Sequence, residues 1–170
     1  VADLGIAGNR LARPGFESDL APADQAAIDY ILQNGSDSTR TLALYDALLA
    51  SHVVTAGLRT ADGYDPMQLS TYAGLVRQAI GCDYDSYTVT VPPTQASTEA
   101  RDACPDFRPR PELLALLNVQ FVLLEDNPGT ALPVTVVGER QIADIGPGYG
   151  RAFGVAQAIT APPDACLEQL

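Results

Sequence analysis

The stretch PELLALLNVQFVLL, residues 111–124, decides the fold of this chain. Pro111 suits the first position of a helix, because its fixed φ is already helical and its missing N–H is not needed there. We therefore expect a short helix over Glu112–Leu117. It leads directly into Val119–Leu124, which is apolar on both of its alternating faces. Such a strand is typical of the centre of a sheet that is covered on both sides.

The remaining sequence mixes helices with short strands. Apolar residues recur at helical spacing in two further segments, and a hairpin follows the central strand. The other predicted elements are a helix over Ala23–Gln33 that ends in a left-handed Asn34-Gly35, a strand over Arg40–Tyr45, a helical turn over Asp46–Ser51, an extended piece over His52–Thr55, a helix over Pro66–Ile80 that Gly81 ends, a strand-like run over Tyr87–Val91, a hairpin of Val134–Val137 with Gln141–Ile145, and a last strand over Ala152–Val155.

These elements predict an α/β fold, with α+β as the alternative, in which helices pack on a mixed β-sheet. We expect a single domain over residues 1–170. Residues 1–21 should be irregular, 82–110 a long loop and 160–170 a loose tail. The chain begins at Val1, carries no signal peptide and has no apolar run near the roughly 20 residues that cross a bilayer. Because it starts abruptly at Val1, without an initiator Met, and ends at Leu170, we expect it to be part of a longer protein.

The charge balance restricts the partners. The net charge is −11, from 21 acidic residues against 10 arginines and no lysine. A surface of that sign repels phosphates, so nucleic acid and anionic lipid are poor candidates. Cationic partners, neutral sugars and a purely structural role remain open, and such a composition also arises from genome bias or a salty habitat.

The chain has three cysteines, Cys82, Cys104 and Cys166, and none lies in a Cys-x-x-Cys pair. With His52 as the only histidine, a zinc ligand set is not expected, nor is any other cofactor. Cys82 and Cys104 bracket a polar loop, where a disulfide would stabilise by about 3 kcal/mol. We predict this bridge, with Cys166 left over, and hence an oxidising compartment. The alternative is three independent buried thiols.

The motif GYDP, residues 63–66, has two interpretations. Asp65 suits a helix N-cap, Pro66 the first helical position and Gln68 the third, which together make a capping box worth about 1 kcal/mol. The second interpretation is a binding site, in which Tyr64 beside Asp65 forms an aromatic–carboxylate pair that contacts sugar. Capping explains the carboxylate but leaves Tyr64 unexplained.

Two other motifs suggest chemistry less strongly. Ser51 and His52 are neighbours, but no Gly-x-Ser-x-Gly elbow presents the serine, and a lone histidine in an apolar stretch is usually packed. The run GPGYG, residues 146–150, lacks the lysine of a phosphate loop and is expected to be a flexible or tightly turned loop.

Three segments together resemble a known family. They are GYDP (63–66) with Tyr72 beyond it, LLALLNVQFVL (113–123) and RAF (151–153). Their order and spacing are similar to the soluble extracytoplasmic region of bacterial YfhO-type membrane proteins. These are polytopic proteins similar to GT-C glycosyltransferases, which move sugars from polyprenyl-phosphate carriers. Gly150 stands where the family usually has proline, and Phe121 stands where it usually has tyrosine.

The resemblance implies a non-catalytic extracytoplasmic domain that shapes or covers the acceptor side of a sugar-transfer site. The catalytic acid would lie elsewhere in the parent protein, near its first membrane helices. The expected partners are the transmembrane portion of the same protein and a glycan or lipid-linked sugar, which Tyr64, Asp65, Tyr72 and Arg151 would contact. The alternatives are a free-standing secreted binding module and a small hydrolase that uses Ser51 and His52.

Overall fold

The computed structural model describes residues 20–44, 47–48, 50–64, 69–82, 90–92, 108–124 and 132–150. Within these ranges the helices are α1 (Pro22–Asn34), α2 (Ala50–Thr55), α3 (Ser70–Ile80) and α4 (Pro111–Leu116). The strands are β1 (Arg40–Ala43), β2 (Arg59–Thr60), β3 (Gly63–Tyr64), β4 (Thr90–Val91), β5 (Val119–Leu124), β6 (Val134–Val137) and β7 (Arg140–Asp144). None of the helices in these ranges is long and apolar enough to cross a membrane.

The predicted mixed sheet is confirmed. Five strands lie in the order β2-β1-β5-β7-β6. Strand β1 runs parallel to both β2 and β5, whereas β7 pairs antiparallel with β5 and β6. The predicted hairpin is the β6–β7 pair. Strands β3 and β4 form a separate two-stranded antiparallel ladder.

Helices cover both faces of the sheet, as the apolar pattern of β5 predicts. Val122 and Leu124 belong to one buried cluster, together with residues of α3 and α4. Phe121 and Leu123 belong to a second buried cluster, together with residues of α1 and α2. Alternate residues of a strand point to opposite faces, so this division places β5 at the centre of a three-layer arrangement.

The two predicted helix-ending glycines behave differently. Gly81 is left-handed with φ 73°, as predicted. Gly35 is not left-handed, because its backbone is extended at φ −92° and ψ 173°. A glycine is needed there for space, since a Cβ atom would lie 2.9 Å from the Ile31 carbonyl oxygen and 3.3 Å from the Phe121 ring.

Two predicted elements are wrong. Residues 52–55 are helical in α2, although the valines and Thr55 favour a strand locally. The helical placement buries Val53 in the cluster that contains Phe121. Helix α3 begins at Ser70 rather than Pro66, and Leu69, its N-cap, is extended and 72% exposed. The residue that adjoins the first helical position is thus Leu69, which makes no side-chain cap, and Asp65, Pro66 and Gln68 of the predicted capping box lie outside the described residues.

Other predictions are confirmed in part or lie outside the described ranges. Strand β1 ends at Ala43, two residues earlier than predicted. Strand β4 occupies the end of the run Tyr87–Val91. Residues 1–19, most of 82–110 and everything after 150, including the predicted strand Ala152–Val155 and the tail, lie outside the described residues.

Candidate functional site

The structure describes two of the four predicted contact residues. Tyr64 ends β3, where its backbone pairs with Thr90 of β4. Tyr72 lies in the first turn of α3. Asp65 and Arg151 lie outside the described residues, so their predicted contacts with sugar stay predictions.

Tyr72 connects α3 to the segment between β2 and β3. Its hydroxyl donates a hydrogen bond to the Ala61 carbonyl at 2.6 Å, and its ring packs against the buried cluster of α3 and α4. Burial raises the pKa of the Tyr72 phenol above its ordinary value, the Arg40 charge opposes this increase, and the Asp62 charge adds to it. The hydrogen bond gives Tyr72 a structural role, and its phenol lies within electrostatic reach of Arg40.

Arg40 and Arg59 stand side by side at the starts of two parallel strands. They are register partners, and Thr41 and Thr60 are the next pair. Partners on neighbouring strands are about 4.8 Å apart and project to the same side of the sheet. Both arginines line an open cleft of about 540 Å³. Its other lining residues are Ser38, Leu116, Leu117, Asn118 and Gly150.

Within the described ranges neither of these guanidinium groups forms an ion pair, although the charge of Asp62 acts on the same Tyr72 phenol as the charge of Arg40. Arg140, by contrast, pairs with Asp24 at 2.8 Å, and Arg110 pairs with Glu112 at 3.1 Å. No described carboxylate lies within ion-pair distance of Arg40 or Arg59, and no described group forms a hydrogen bond with either side chain. In a chain of net charge −11, an adjacent pair of free cations forms a local region of opposite sign.

Asn118 builds the floor of the cleft. It is buried and has a left-handed backbone with φ 58°, which asparagine tolerates better than most residues. Its side-chain Nδ2 donates to the Ser38 carbonyl, and its Oδ1 accepts from the Gly150 N–H at 3.0 Å. Its own carbonyl accepts from the Arg40 N–H at 2.9 Å. Asn118 thus fixes two segments that line the cleft, the stretch from Ser38 to Arg40 and the loop at Gly150.

The loop Gly146–Gly150 reaches the cleft by close packing. Gly148 lies so near Asn118 that a Cβ atom would be 2.5 Å from its Oδ1 and 2.6 Å from its Cα. The Tyr149 N–H donates to the Ala115 carbonyl at 3.2 Å. Gly150 has φ 83° and is followed in the chain by Arg151. The predicted tight turn is thus held against the end of α4.

Sequence reasoning missed Arg59 and gave Arg40 no functional role. A signal was nevertheless present, because the dipeptide Arg-Thr opens both strands, at 40–41 and at 59–60. The repeat becomes meaningful only when β1 and β2 are known to be parallel neighbours in register. That relationship depends on the packing of α2 between them and not on local pattern.

His52 lies in a second polar cluster, where the buried Asp24 of α1 faces the His52 imidazole and the Arg140 guanidinium. The imidazole Nδ1 is 3.5 Å from Asp24 Oδ2, and Arg140 binds Asp24 Oδ1. His52 is mostly buried, as the packed interpretation predicts. The side chain of Ser51 lies outside the described residues, so the hydrolase alternative stays untested. Among the described residues no three acidic, Cys or His side chains are grouped to hold a metal ion.

Cys82 is buried just after the end of α3 and is disulfide-bonded. Its predicted partner, Cys104, lies outside the described residues, as does Cys166. The Cys82–Cys104 pairing therefore stays a prediction.

Comparison of the chain with models of protein families, with curated proteins and with solved structures finds no match. Its function must therefore be inferred from the arrangement of its own residues.

Proposed function

We propose that this chain is a non-catalytic extracytoplasmic domain of a multi-spanning, GT-C-like membrane protein. It would lie over the acceptor side of a sugar-transfer site and contact glycan or acceptor. The observation that carries the proposal is spatial. Tyr72, in the first of the segments that resemble the YfhO-type family, packs against the second segment, and the third segment follows directly after a residue that binds the second.

One residue links the first segment to the second. Tyr72 of the first packs against the buried cluster that contains Leu113, Leu114 and Val119 of the second. The third segment begins at Arg151, directly after Gly150, whose N–H binds Asn118 of the second.

The disulfide and the charge support the location. A disulfide-bonded Cys82 suits an oxidising compartment outside the cytoplasm. The net charge of −11 is compatible with this location, because the excess of positive residues in membrane proteins is a property of short cytoplasmic loops.

The first experiment concerns the parent protein. The complete reading frame is expected to encode apolar segments of about 20 residues on both sides of this chain. In that protein, a reporter enzyme that folds only outside the cytoplasm should be active when it is fused directly after the position of Leu170 of this chain. A reading frame without such segments would instead identify a free-standing secreted module, and the proposal would fail.

The second experiment tests glycan contact. Amide resonances of the ¹⁵N-labelled domain are followed while a panel of neutral oligosaccharides is added. We expect saturable shifts around residues 63–72 and 150–151 and none at the exposed positions Gln25 and Asp29 of α1. The Tyr64→Ala variant should lose the shifts. If no sugar moves a resonance near 63–72, the contact role is lost, although the membrane assignment is unaffected.

A further inference from the structure

We propose that Arg40 and Arg59 form a binding site for a phosphate group carried by a small ligand. This site borders the sugar contacts proposed above at Gly150, but it does not rest on them. It follows from the register, exposure and free charge of these two residues, and it would hold equally in a secreted module.

The geometry presents two guanidinium groups to one volume. Arg40 and Arg59 are register partners on parallel strands and line the same cleft of about 540 Å³. Each guanidinium is a planar group with several N–H donors that match the oxygens of a phosphate. Two such groups about 4.8 Å apart at the backbone can bind different oxygens of one tetrahedral anion.

The charge arrangement is unfavourable unless an anion is present. Like charges directly opposite each other on neighbouring strands destabilise a sheet. The chain has 21 acidic residues, which are the usual counter-ions of arginine. Arg110 and Arg140 have such partners, whereas Arg40 and Arg59 have none among the described residues. A bound anion would remove the repulsion and satisfy the donors.

Phosphate fits this pair better than a carboxylate does. A phosphate monoester carries a charge of about −1.5 to −2 at pH 7 and three terminal oxygens. It therefore matches two cations, whereas a carboxylate offers one charge and two oxygens. The rest of the surface explains why the ligand must be small, because a long polyanion would meet the net charge of −11 beyond the cleft.

The rest of the cleft suits the group that bears the phosphate. Leu116 and Leu117 provide an apolar side, and Ser38 and the Asn118 floor provide a polar one. Asn118 fixes Arg40 through the Arg40 N–H at 2.9 Å, so the site stands on hydrogen-bonded backbone. A sugar phosphate and a lipid phosphate share the chemistry that this site would recognise.

Titration with inorganic phosphate tests the proposal. The backbone amides and arginine Nε–H signals of the ¹⁵N-labelled protein are followed at constant ionic strength, with chloride as the reference anion. We expect saturable shifts at Arg40, Arg59 and Gly150. Arg40→Gln and Arg59→Gln should each weaken binding by about ten-fold or more, since each removes a charge-assisted hydrogen bond.

Controls separate a site from a general charge effect. Arg110→Gln removes the same charge outside the cleft and should leave the affinity unchanged. Arg40→Lys keeps the charge but loses the planar group, so it should bind less tightly than the wild type and more tightly than Arg40→Gln. Shifts that chloride reproduces, or an equal loss in Arg110→Gln, would overturn the proposal, as would the absence of saturable shifts.

Stability measurements distinguish a binding role from a structural one. Without phosphate, Arg59→Gln should be at least as stable as the wild type, because it relieves the repulsion. Phosphate should raise the melting temperature of the wild type and not that of the double variant Arg40→Gln/Arg59→Gln. Loss of stability in Arg59→Gln without any phosphate effect on the wild type would show a structural arginine and refute the site.

Two further probes identify the source of the phosphate. Glucose 1-phosphate represents a soluble ester, and vesicles of phosphatidylcholine with phosphatidic acid represent a lipid headgroup. Tighter binding of glucose 1-phosphate than of inorganic phosphate supports a soluble ester. Co-sedimentation with the acidic vesicles, lost in the double variant, supports a headgroup. Weaker binding of both probes than of inorganic phosphate would contradict a site for a phosphate that is carried by a larger group.

Discussion

The side chain of Asn118 and the backbone of Gly150 are joined across 32 positions of sequence. Asn118 Oδ1 accepts the Gly150 N–H at 3.0 Å. The Nδ2 atom of the same side chain donates to Ser38, so one buried amide ties two loops to the start of β5. The cleft with Arg40 and Arg59 therefore depends on a residue that does not carry charge.

Asn118→Ala should destabilise the protein by about 2–4 kcal/mol. It removes two side-chain hydrogen bonds and places an alanine at a positive φ of 58°, which costs about 1–2 kcal/mol by itself. Asn118→Gly keeps the backbone freedom and loses only the bonds, so it should lie between the wild type and Asn118→Ala. Denaturant unfolding of the three proteins measures the order of their unfolding free energies. Equal losses in the two variants would show that the left-handed backbone contributes nothing.

Gly148→Ala tests the close approach of the loop to Asn118. The new Cβ would lie 2.5 Å from Asn118 Oδ1 and 2.6 Å from Asn118 Cα, so the loop or β5 must shift. We expect a loss of about 1–3 kcal/mol, the range of overpacked sites. Gly63→Ala is the matched control, because no heavy atom lies within 4 Å of its Cβ position. A loss in Gly148→Ala no greater than in Gly63→Ala would contradict the packing.

Local pattern predicts the centre of this fold and not its polar contacts. The two-sided apolar run of β5 and the glycine after α3 are each determined within a few residues, and both predictions are confirmed. The helix over 52–55 was missed because burial of Val53 outweighs the strand preference of its neighbours. The start of α3 was predicted too early because Pro66 suits a first helical position locally, whereas the first helical residue is Ser70.

The cleft with Arg40 and Arg59 could not be predicted from the sequence, because tertiary packing and not local pattern brings its residues together. Arg40 and Arg59 become neighbours through the register of two parallel strands, with α2 between them. Asp24 and Arg140 meet across 116 positions of sequence. Charged residues occur on every exposed surface, so their pattern does not show which of them are paired. Tyr72 was selected as a contact residue, and its hydrogen bond to Ala61 is a tertiary feature that no spacing rule contains.

Asp24→Asn should destabilise the protein by about 1–3 kcal/mol. Asp24 is 5% exposed and accepts from Arg140, so its loss breaks a largely buried ion pair. Removal of one partner from a fully buried pair costs about 3–5 kcal/mol, and the partial exposure of Arg140 reduces this figure. Asp29→Asn is the control on the same helix, at an exposed position. Equal unfolding free energies for the two variants would show that the Asp24 contacts are not stabilising.

The disulfide prediction is tested by counting thiols in the denatured, unreduced protein. One free thiol is expected, with Cys82 linked to Cys104 and Cys166 free. Peptide mapping without reduction identifies the pair. Reduction should lower stability by about 3 kcal/mol, because the unfolded chain regains the freedom of a 22-residue separation. Three free thiols, or a peptide that links Cys82 to Cys166, would disprove the pairing.

The stability contribution of Tyr72 should depend on pH. Burial raises the pKa of the phenol above its ordinary value of 10.0, so the folded state holds this proton more tightly than the unfolded state. The contribution of Tyr72 to the free energy of unfolding is therefore fully present below about pH 10, and it is lost as the pH rises through the pKa of the folded state. Tyr72→Phe cannot show this loss, because phenylalanine does not titrate.

The comparison of Tyr72→Phe with the wild type shows whether the stability contribution of Tyr72 falls as the pH rises. At pH 7 the variant should be less stable by about 1 kcal/mol, because it lacks the hydrogen bond to the Ala61 carbonyl. As the pH rises above 10 this difference in unfolding free energy should narrow. The wild type loses stability there, because its unfolded state releases the Tyr72 proton more readily than its folded state does, whereas the variant has no such proton. Denaturant unfolding at several values between pH 7 and 11 measures the difference. A constant difference over this range would mean that the Tyr72 phenol titrates alike in both states, and its burial would then not restrain its ionisation.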